Sequence, residues 1–481
     1  MSSIPYQTKQ NFEEPHPSRP REERLEALTR RIGRNLFRRM RSSAPSFWRL
    51  AAVEDHFMKL MMRDEDLRFR MLQFVDVFPS LKDTRSVTRH LEEYLSSEEM
   101  GSGTGHGPLG RIASLLGRDL GGVRVITAAT ARLAITRMAN QFIAGHTPEE
   151  VAVRIRSMEA GGFHFSLDLL GEFVASEVQA GEFARRYLEM IERFEDLLGP
   201  LPAVFADQPH LQAPPRVNIS IKLSSLTSRF DPMDPEGTSA AVRERLRPLV
   251  RAARQHGAFI NVDMEKYEFR DITLQIILDL LDEEEFRGFP HLGAVAQAYL
   301  LDADESLRWF LAELARRNQP TTIRLVRGAY WDSEQIWARQ KGWPVPVISD
   351  KRQTDIMFER CTRILMEAAP LVRTAIASHN VRSIAYALAL RKVLGQPAGA
   401  FEVQMLYGMA GPIKDAVLRS GVPVRIYTPC GELLPGMSYL VRRILENTSN
   451  ESFLRQRFSN RVSEEKLLAS PHESGLEDLG I

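Results

Sequence analysis

From about Gly161 onward, short apolar runs alternate with longer amphipathic stretches, and the runs can be counted. FHFSLDLL, VNISIKLS, AFINVDME, LGAVAQAYL, TTIRLVRGAY, RTAIASHN, FEVQMLYG and VRIYTPCG make eight. Between them, GEFARRYLEMIERFEDLL, AAVRERLRPLVRAARQHG, ITLQIILDLLDEEEF and ESLRWFLAELARRN space their apolar residues three and four apart, which predicts helices with one buried face. Strand and helix in alternation imply an α/β fold with a parallel sheet, because each crossover needs a helix's length of chain. Eight units fit a (β/α)8 TIM-type barrel, and no G-x-G-x-x-G follows the first strand as a doubly wound sheet would lead one to expect.

The amino-terminal part reads differently. A polar, proline-rich start predicts a mobile tail over residues 1–22. EERLEALTRRIGRNLFRRMRSS and SFWRLAAVEDHFMKLMMRDEDLRFRMLQFVDVFPSL then bring helical spacing, and the Gly-rich GSGTGHGPLG, Gly101 to Gly110, predicts a loop. The expected organisation is therefore the tail, a helical accessory region over 23–119, the barrel over 120–465 and a carboxy-terminal tail over 466–481. Arginines between Arg30 and Arg41 suit a polyanion surface or a solvated helix face, and charged faces usually serve solvation.

Composition narrows the partners. The 481 residues are 43% apolar and 26% charged, ordinary for a soluble globular protein, and the formal net charge of +1 gives no global field to recruit nucleic acid or an anionic membrane. No apolar run approaches a bilayer's thickness and the start lacks the apolar core of a secretory signal, so a cytoplasmic location is expected. Cys361 and Cys430 stand far apart with no C-x-x-C, which signals neither a disulfide framework nor a cysteine zinc site.

In a barrel, active-site groups belong at the carboxyl ends of the strands. Polar residues concentrate there: Asp168, Glu172, Lys222, Asp263, Glu265, Gln297, Arg324, Arg327, His379, Asn380, Gln404 and Tyr427. Beyond the last strand, YLVRRILEN puts Tyr439, Arg442, Arg443 and Glu446 on one helical stripe flanked by apolar residues, so two guanidinium groups emerge from a mostly buried element and need a partner. Lys222, Arg442 and Arg443 suit a small carboxylate better than a phosphate, because YTPCGELLPG offers only isolated glycines. Asp168, Asp263, Glu265 and His379 are conceivable metal ligands, but the neighbouring cations argue against that use. A Schiff-base aldolase using Lys222 and a non-catalytic barrel that binds an amino acid stay open on these residues.

Taken together, FSLDLLGE, ISIKLSSL, NVDMEKY, AQAYL, IRLVRGAYWDSE, ASHN, FEVQMLYGM and RIYTPCGELLPGMSYLVRRILEN resemble the flavin-dependent proline dehydrogenases, most closely the proline dehydrogenase module of bifunctional proline utilization A proteins. The likeness runs from about Gly121 to Phe458, and the first hundred residues match only loosely. It implies a distorted barrel holding non-covalent FAD, and oxidation of L-proline to Δ1-pyrroline-5-carboxylate by hydride transfer to the flavin. Electrons would pass to a membrane quinone, with peripheral contact at the inner face of the membrane, in the first step of proline catabolism to glutamate.

Carried over position by position, the resemblance gives Lys222, Asp263, Arg324 and Glu172 catalytic roles, with Glu172 pairing Arg442 in a gate over the substrate. Lys222, Arg442 and Arg443 would clamp the proline carboxylate, while Leu406, Tyr427 and Tyr439 wall its ring. Gln297, Arg324, Arg327, Gly328, Ala329, Trp331, Ser378, His379 and Gln404 match positions that hold FAD, as do Val262, Lys351, Thr354 and Glu446. Arg327 and Tyr407 depart from the lysine and histidine common in the bifunctional proteins, and GELLPGM departs from their threonine-histidine-glutamate turn. Tyr427 implies a preference for proline over hydroxyproline. The chain leaves no room for an aldehyde dehydrogenase module, so a separate glutamate-semialdehyde dehydrogenase, or the remainder of a longer protein, is the expected partner. No ribbon-helix-helix pattern opens the chain, and no nucleic-acid partner is expected.

Overall fold

The computed structural model describes residues 19–42, 141–171, 174–207, 215–432 and 463–473. Each of the eight expected runs carries one strand, β6 beginning one residue ahead of its run: β1 His164–Leu169, β2 Asn218–Ile221, β3 Phe259–Val262, β4 Leu292–Gln297, β5 Thr321–Val326, β6 Val372–Ala377, β7 Phe401–Leu406 and β8 Val424–Cys430. They form one closed parallel barrel in chain order, with β1 paired to β8 from His164 opposite Arg425 to Leu169 opposite Cys430. The expected helices lie between them, among them Glu177–Leu198, Pro235–His256, Arg270–Asp282 and Ala303–Arg316. Two more, Trp331–Lys341 and Lys351–Glu367, share the β5–β6 crossover.

Alternation along the strands decides which face is oily. Ile219, Ile221, Val403, Val424 and Ile426 are buried in the core between the strands and the surrounding helices. Their neighbours Ser220, Gln404, Arg425 and Tyr427 instead belong to a hydrogen-bonded set running across the inside of the barrel. Barrel interiors are ordinarily filled by branched apolar side chains. Here a polar network fills much of that space.

Local signals set the helix starts. Asn380, one of the polar residues expected at the rim, caps Val381–Val393 by accepting from the Arg382 and Ser383 amides at 2.8 and 3.3 Å, a contact of about 1 kcal/mol.

The amino-terminal helix α1, Arg19–Ser42, lies against the helices Val381–Val393 and Gly411–Leu418. Its inner stripe of Leu25, Thr29, Gly33, Leu36, Phe37 and Met40 follows the helical period. Part of its basic face is spent on the protein itself: Arg30 bonds to Glu26 and Glu473, Arg41 to Glu464, and Arg39 to the Arg419 carbonyl. Residues from the expected carboxy-terminal tail dock there too. Leu468 packs over Gly33 so closely that a Cβ would lie 2.3 Å from its Cδ2. Arg382 ties the three pieces together, bonding Glu359 at 2.8 and 3.2 Å, Glu26 at 2.8 Å and the Leu468 carbonyl at 3.0 Å.

Cys361 and Cys430 are both free and buried, and burial pushes each thiol up to about 12. No helix among the described residues is long and apolar enough to cross a membrane.

Outside β8, a cavity of about 320 Å³ is lined by Lys414 together with Arg154, Phe163, Tyr407 and Ile426. Among the described residues no hydrogen bond or ion pair holds the Lys414 ammonium, and burial lowers its pKa to about 7. The unfolded chain keeps this lysine protonated up to about 10.5, so between about 7 and 10.5 it binds more protons than the folded one. Stability from this group therefore rises with pH through that window, and its full cost is felt below 7. Lys414→Met is expected to raise the unfolding temperature, more at pH 6 than at pH 10. Equal gains at both pH values would refute the argument.

Candidate active site

Arg324, on β5, is the hub of the barrel interior. It is 4% exposed, and its fork reaches strands on the far side as well as its neighbours. Nη1 meets Asp263 Oδ1 at 2.5 Å, Nη2 donates to Ser220 Oγ at 3.0 Å, and Nε donates to Gln404 Oε1 at 2.6 Å. The guanidinium also lies 5.1 Å from the centre of the Tyr427 ring. Asp263 is itself shared: Tyr427 Oη donates to Oδ2 at 2.7 Å and Asn261 Nδ2 to Oδ1 at 3.0 Å. A buried ion pair is tolerated only when its remaining lone pairs and protons are satisfied, and these are.

Lys222 follows directly on β2 and points its Nζ at Asp168 Oδ1, 2.8 Å away, with both side chains buried. An ammonium so paired suits electrostatic binding of an anion, whereas a Schiff-base nucleophile must first shed that proton. Among the described residues, no three His, Cys, Asp or Glu side chains are grouped to hold a metal ion.

Tyr427 is held well above the ordinary phenol range, first by burial and then by the nearby Asp168 and Asp263 carboxylates. It therefore stays a proton donor through neutral pH. Its folded-state pKa exceeds the unfolded one, so its contribution to stability is complete below pH 10 and fades only as pH climbs past that value. Tyr427→Phe is expected to cost roughly 1.5–3 kcal/mol, the worth of one hydrogen bond to a charged group, by denaturant titration at pH 7. A loss under about 0.5 kcal/mol would mean that Asp263 is satisfied without the phenol.

A second group of expected residues lies around the ends of β4, β5 and β6. Gln297 Nε2 donates to the Glu265 carbonyl at 3.1 Å, while its Oε1 is buried with no hydrogen-bond partner among the described residues. Such an orphaned acceptor marks a place for a donor from a ligand. Arg327 bonds Asp355, Ser378 and Ser383 at 2.6 to 3.0 Å and lies over Phe358, so its fork ties the end of β5 to the helices Lys351–Glu367 and Val381–Val393. Gly328 has φ +136°, and a Cβ there would sit 2.4 Å from the Tyr299 ring. His379 Nε2 accepts the Leu406 amide at 3.0 Å, which leaves the ring proton on Nδ1 in the neutral form. Trp331 is exposed, with its Nε1 on the Ile348 carbonyl, and Ala329 and Lys351 are exposed as well. Thr354 bonds the Asp350 carbonyl of its own helix, and Val262 is fully buried in the apolar core. Glu172, Tyr439, Arg442, Arg443 and Glu446 lie outside the described residues.

Interior residues that the strand-end reading passed over complete the network: Ser166, Ser220, Asn261, Glu402 and Arg425. Each occupies an alternate position within a strand run, as in N-I-S-I-K and F-E-V-Q-M-L. That period of two was the available signal.

The family model described as proline dehydrogenase matches residues 151–456 of this chain. The chain belongs to the proline dehydrogenase family. The model for the proline utilization A N-terminal domain matches residues 26–142, so the stretch expected to match only loosely is recognised in its own right. The bifunctional protein PutA of Klebsiella aerogenes is 31% identical over 70% of this chain and 26% of its own length. Proline dehydrogenase 1 of Bacillus subtilis (strain 168) is 29% identical over 66% of this chain and 89% of its own. Among solved structures, proline utilization A from Bdellovibrio bacteriovorus, inactivated by N-propargylglycine, matches with a TM-score of 0.81 at 34% identity, covering 93% of this chain and 44% of that one. The chain thus spans about a quarter of the bifunctional curated relative. Of the residues expected at the site, Asp263, Arg324, Gln404 and Tyr427 share one hydrogen-bonded set, and Lys222 pairs with Asp168.

Proposed function

We propose that this chain is an FAD-dependent L-proline dehydrogenase that oxidises L-proline to Δ1-pyrroline-5-carboxylate and passes the electrons to a membrane quinone. The single observation that carries the reading is the barrel-mouth cluster of Lys222, Asp263, Arg324 and Tyr427 in a chain of this family. Flavin binding is supported by the chemistry of the donor set: the orphaned Gln297 Oε1 and the cations Arg324, Arg327 and Lys351 near the ends of β4 to β6 suit a flat, anionic, hydrogen-bonding group. When bound, FAD supplies the hydride acceptor.

The remaining chemistry belongs to the protein. Lys222, with Arg442 and Arg443, takes the proline carboxylate, and Asp168 balances Lys222 before substrate arrives. Leu406, Tyr427 and Tyr439 hold the ring, and the Tyr427 phenol stands where a ring hydroxyl would crowd it. Glu172 closes on Arg442 and keeps water out. Arg324 presents positive charge where negative charge grows during the reaction. We assign the barrel module to residues 120–465 and the helical accessory region to 23–119. The product is handed to a glutamate-semialdehyde dehydrogenase, separate or covalently linked, and the quinone is reached by peripheral contact with the membrane.

The test is the visible spectrum of the purified protein before and after anaerobic L-proline. A flavin spectrum that bleaches with L-proline, and much less with hydroxyproline, supports the reading. A protein that stays colourless with added FAD, yet is trapped at Lys222 by borohydride and a carbonyl substrate, would replace it with aldolase chemistry. Arg443→Met is expected to raise the proline KM strongly with FAD retained, by about 1.5–3 kcal/mol of lost carboxylate binding. Unchanged kinetics would remove Arg443 from the clamp.

A further inference from the structure

Glu402 lies two residues before Gln404 on β7, inside the barrel and 3% exposed. Three groups converge on its carboxylate. Arg425 donates to both oxygens at 2.7 and 3.2 Å, Arg373 to Oε2 at 3.4 Å, and Gln404 Nε2 to Oε1 at 2.7 Å. The two arginines outweigh the burial and hold this acid down at about 2, so it is an acceptor only at any working pH.

Gln404 therefore sits between two groups of opposite and unchangeable character. An ionised carboxylate cannot donate, and a guanidinium cannot accept. The amide has one workable orientation, with its NH2 on Glu402 and its oxygen on Arg324 Nε at 2.6 Å. Anchoring Nε sets the plane of the fork, and that plane is what brings Nη1 to Asp263 and Nη2 to Ser220. Without a fixed acceptor-only partner, the amide of Gln404 is free to turn over and offer Arg324 a donor instead of an acceptor.

We infer that Glu402 is a positioning residue for the reaction: acting through Gln404, it aims the Arg324 guanidinium. Arg425 and Arg373 hold Glu402 in turn, so the chain of contacts runs Arg425–Glu402–Gln404–Arg324–Asp263–Tyr427. The consequence for catalysis rests on the flavin reading proposed above. The aiming of Arg324 itself does not.

The variant is Glu402→Gln in the full chain, which keeps the shape and removes the fixed polarity. Because it leaves Arg425 less compensated, E402Q/R425Q serves as a companion in which both charges are removed. Complete loss of one such stabilising donor costs about 10²–10³ in rate, so loosening its aim is expected to lower kcat about tenfold, equivalent to about 1.4 kcal/mol. The proline KM should stay within about twofold, since the carboxylate clamp is untouched. The midpoint potential of the bound flavin should move to more negative values, a change that lost stability alone would not produce. A crystal structure of the FAD-free variant should show Arg324 Nε released from Gln404.

Wild-type kcat and midpoint potential in a folded E402Q or E402Q/R425Q protein, with Arg324 still on Gln404, would overturn the inference. If the wild-type protein takes up no FAD, the flavin reading fails. The crystal structure then decides the relay by itself, for or against.

Discussion

On the proposed flavin chemistry, Arg324→Met is expected to slow proline-dependent flavin reduction by on the order of 10²–10³-fold, the cost of removing a preorganised donor from a site where charge would develop. It should also destabilise the fold. Asp263 would keep the Tyr427 and Asn261 hydrogen bonds but lose its cation, and stranding a buried carboxylate in this way costs about 3–5 kcal/mol. Adding Asp263→Asn should return much of the stability, because the uncompensated charge is gone, while returning none of the activity. Thermal unfolding and anaerobic stopped-flow reduction of the two variants separate these effects. A single variant that turns over near the wild-type rate would remove Arg324 from the reaction, and a double variant no more stable than the single one would remove the ion pair from the stability argument.

Arg382→Met is the counterpart far from the chemistry. Its guanidinium neutralises Glu359, which is 3% exposed and already raised above the ordinary carboxylate value by burial. Removing Arg382 is expected to cost about 3–5 kcal/mol at pH 7. The sign with pH follows from Glu359. A folded-state pKa above the unfolded one means that the penalty is absent below about 4.5 and grows as pH rises through the folded value, so the variant should lose less at pH 4.5 than at pH 7. Hydrogen exchange gives the spatial signature: amides of 19–42 and 463–473 should lose protection while β1 to β8 keep theirs. Uniform loss across the barrel would show that Arg382 supports the whole fold rather than the docking of the two end segments.

The eight strands were legible because short apolar runs and amphipathic helices alternate without interruption, and that pattern has few folds. Lys222, Asp263, Arg324, Gln404 and Tyr427 were legible for a related reason: each stands at or near the carboxyl end of a run. Glu402 and Arg425 were not, since they sit within runs whose flanking residues are strongly apolar, and a parallel barrel interior is ordinarily apolar as well. Asn380 carried a helix-start signal that the strand-end reading assigned to the rim. The docking of α1 had no local signal, because its partners lie in Val381–Val393 and 463–473.

That docking has a temporal side. Glu26 and Arg382 are 356 residues apart, and Arg425 on β8 reaches the Phe165 carbonyl on β1 across 260. During synthesis at roughly 5–20 residues per second, α1 leaves the ribosome about 20–70 s before Arg382 exists to receive it. Through that interval Leu25, Leu36, Phe37 and Met40 lack the surfaces that cover them in the finished molecule. Contacts so distant in sequence carry a large loop-closure cost, so the docking of 19–42 is expected to be among the slower events of refolding.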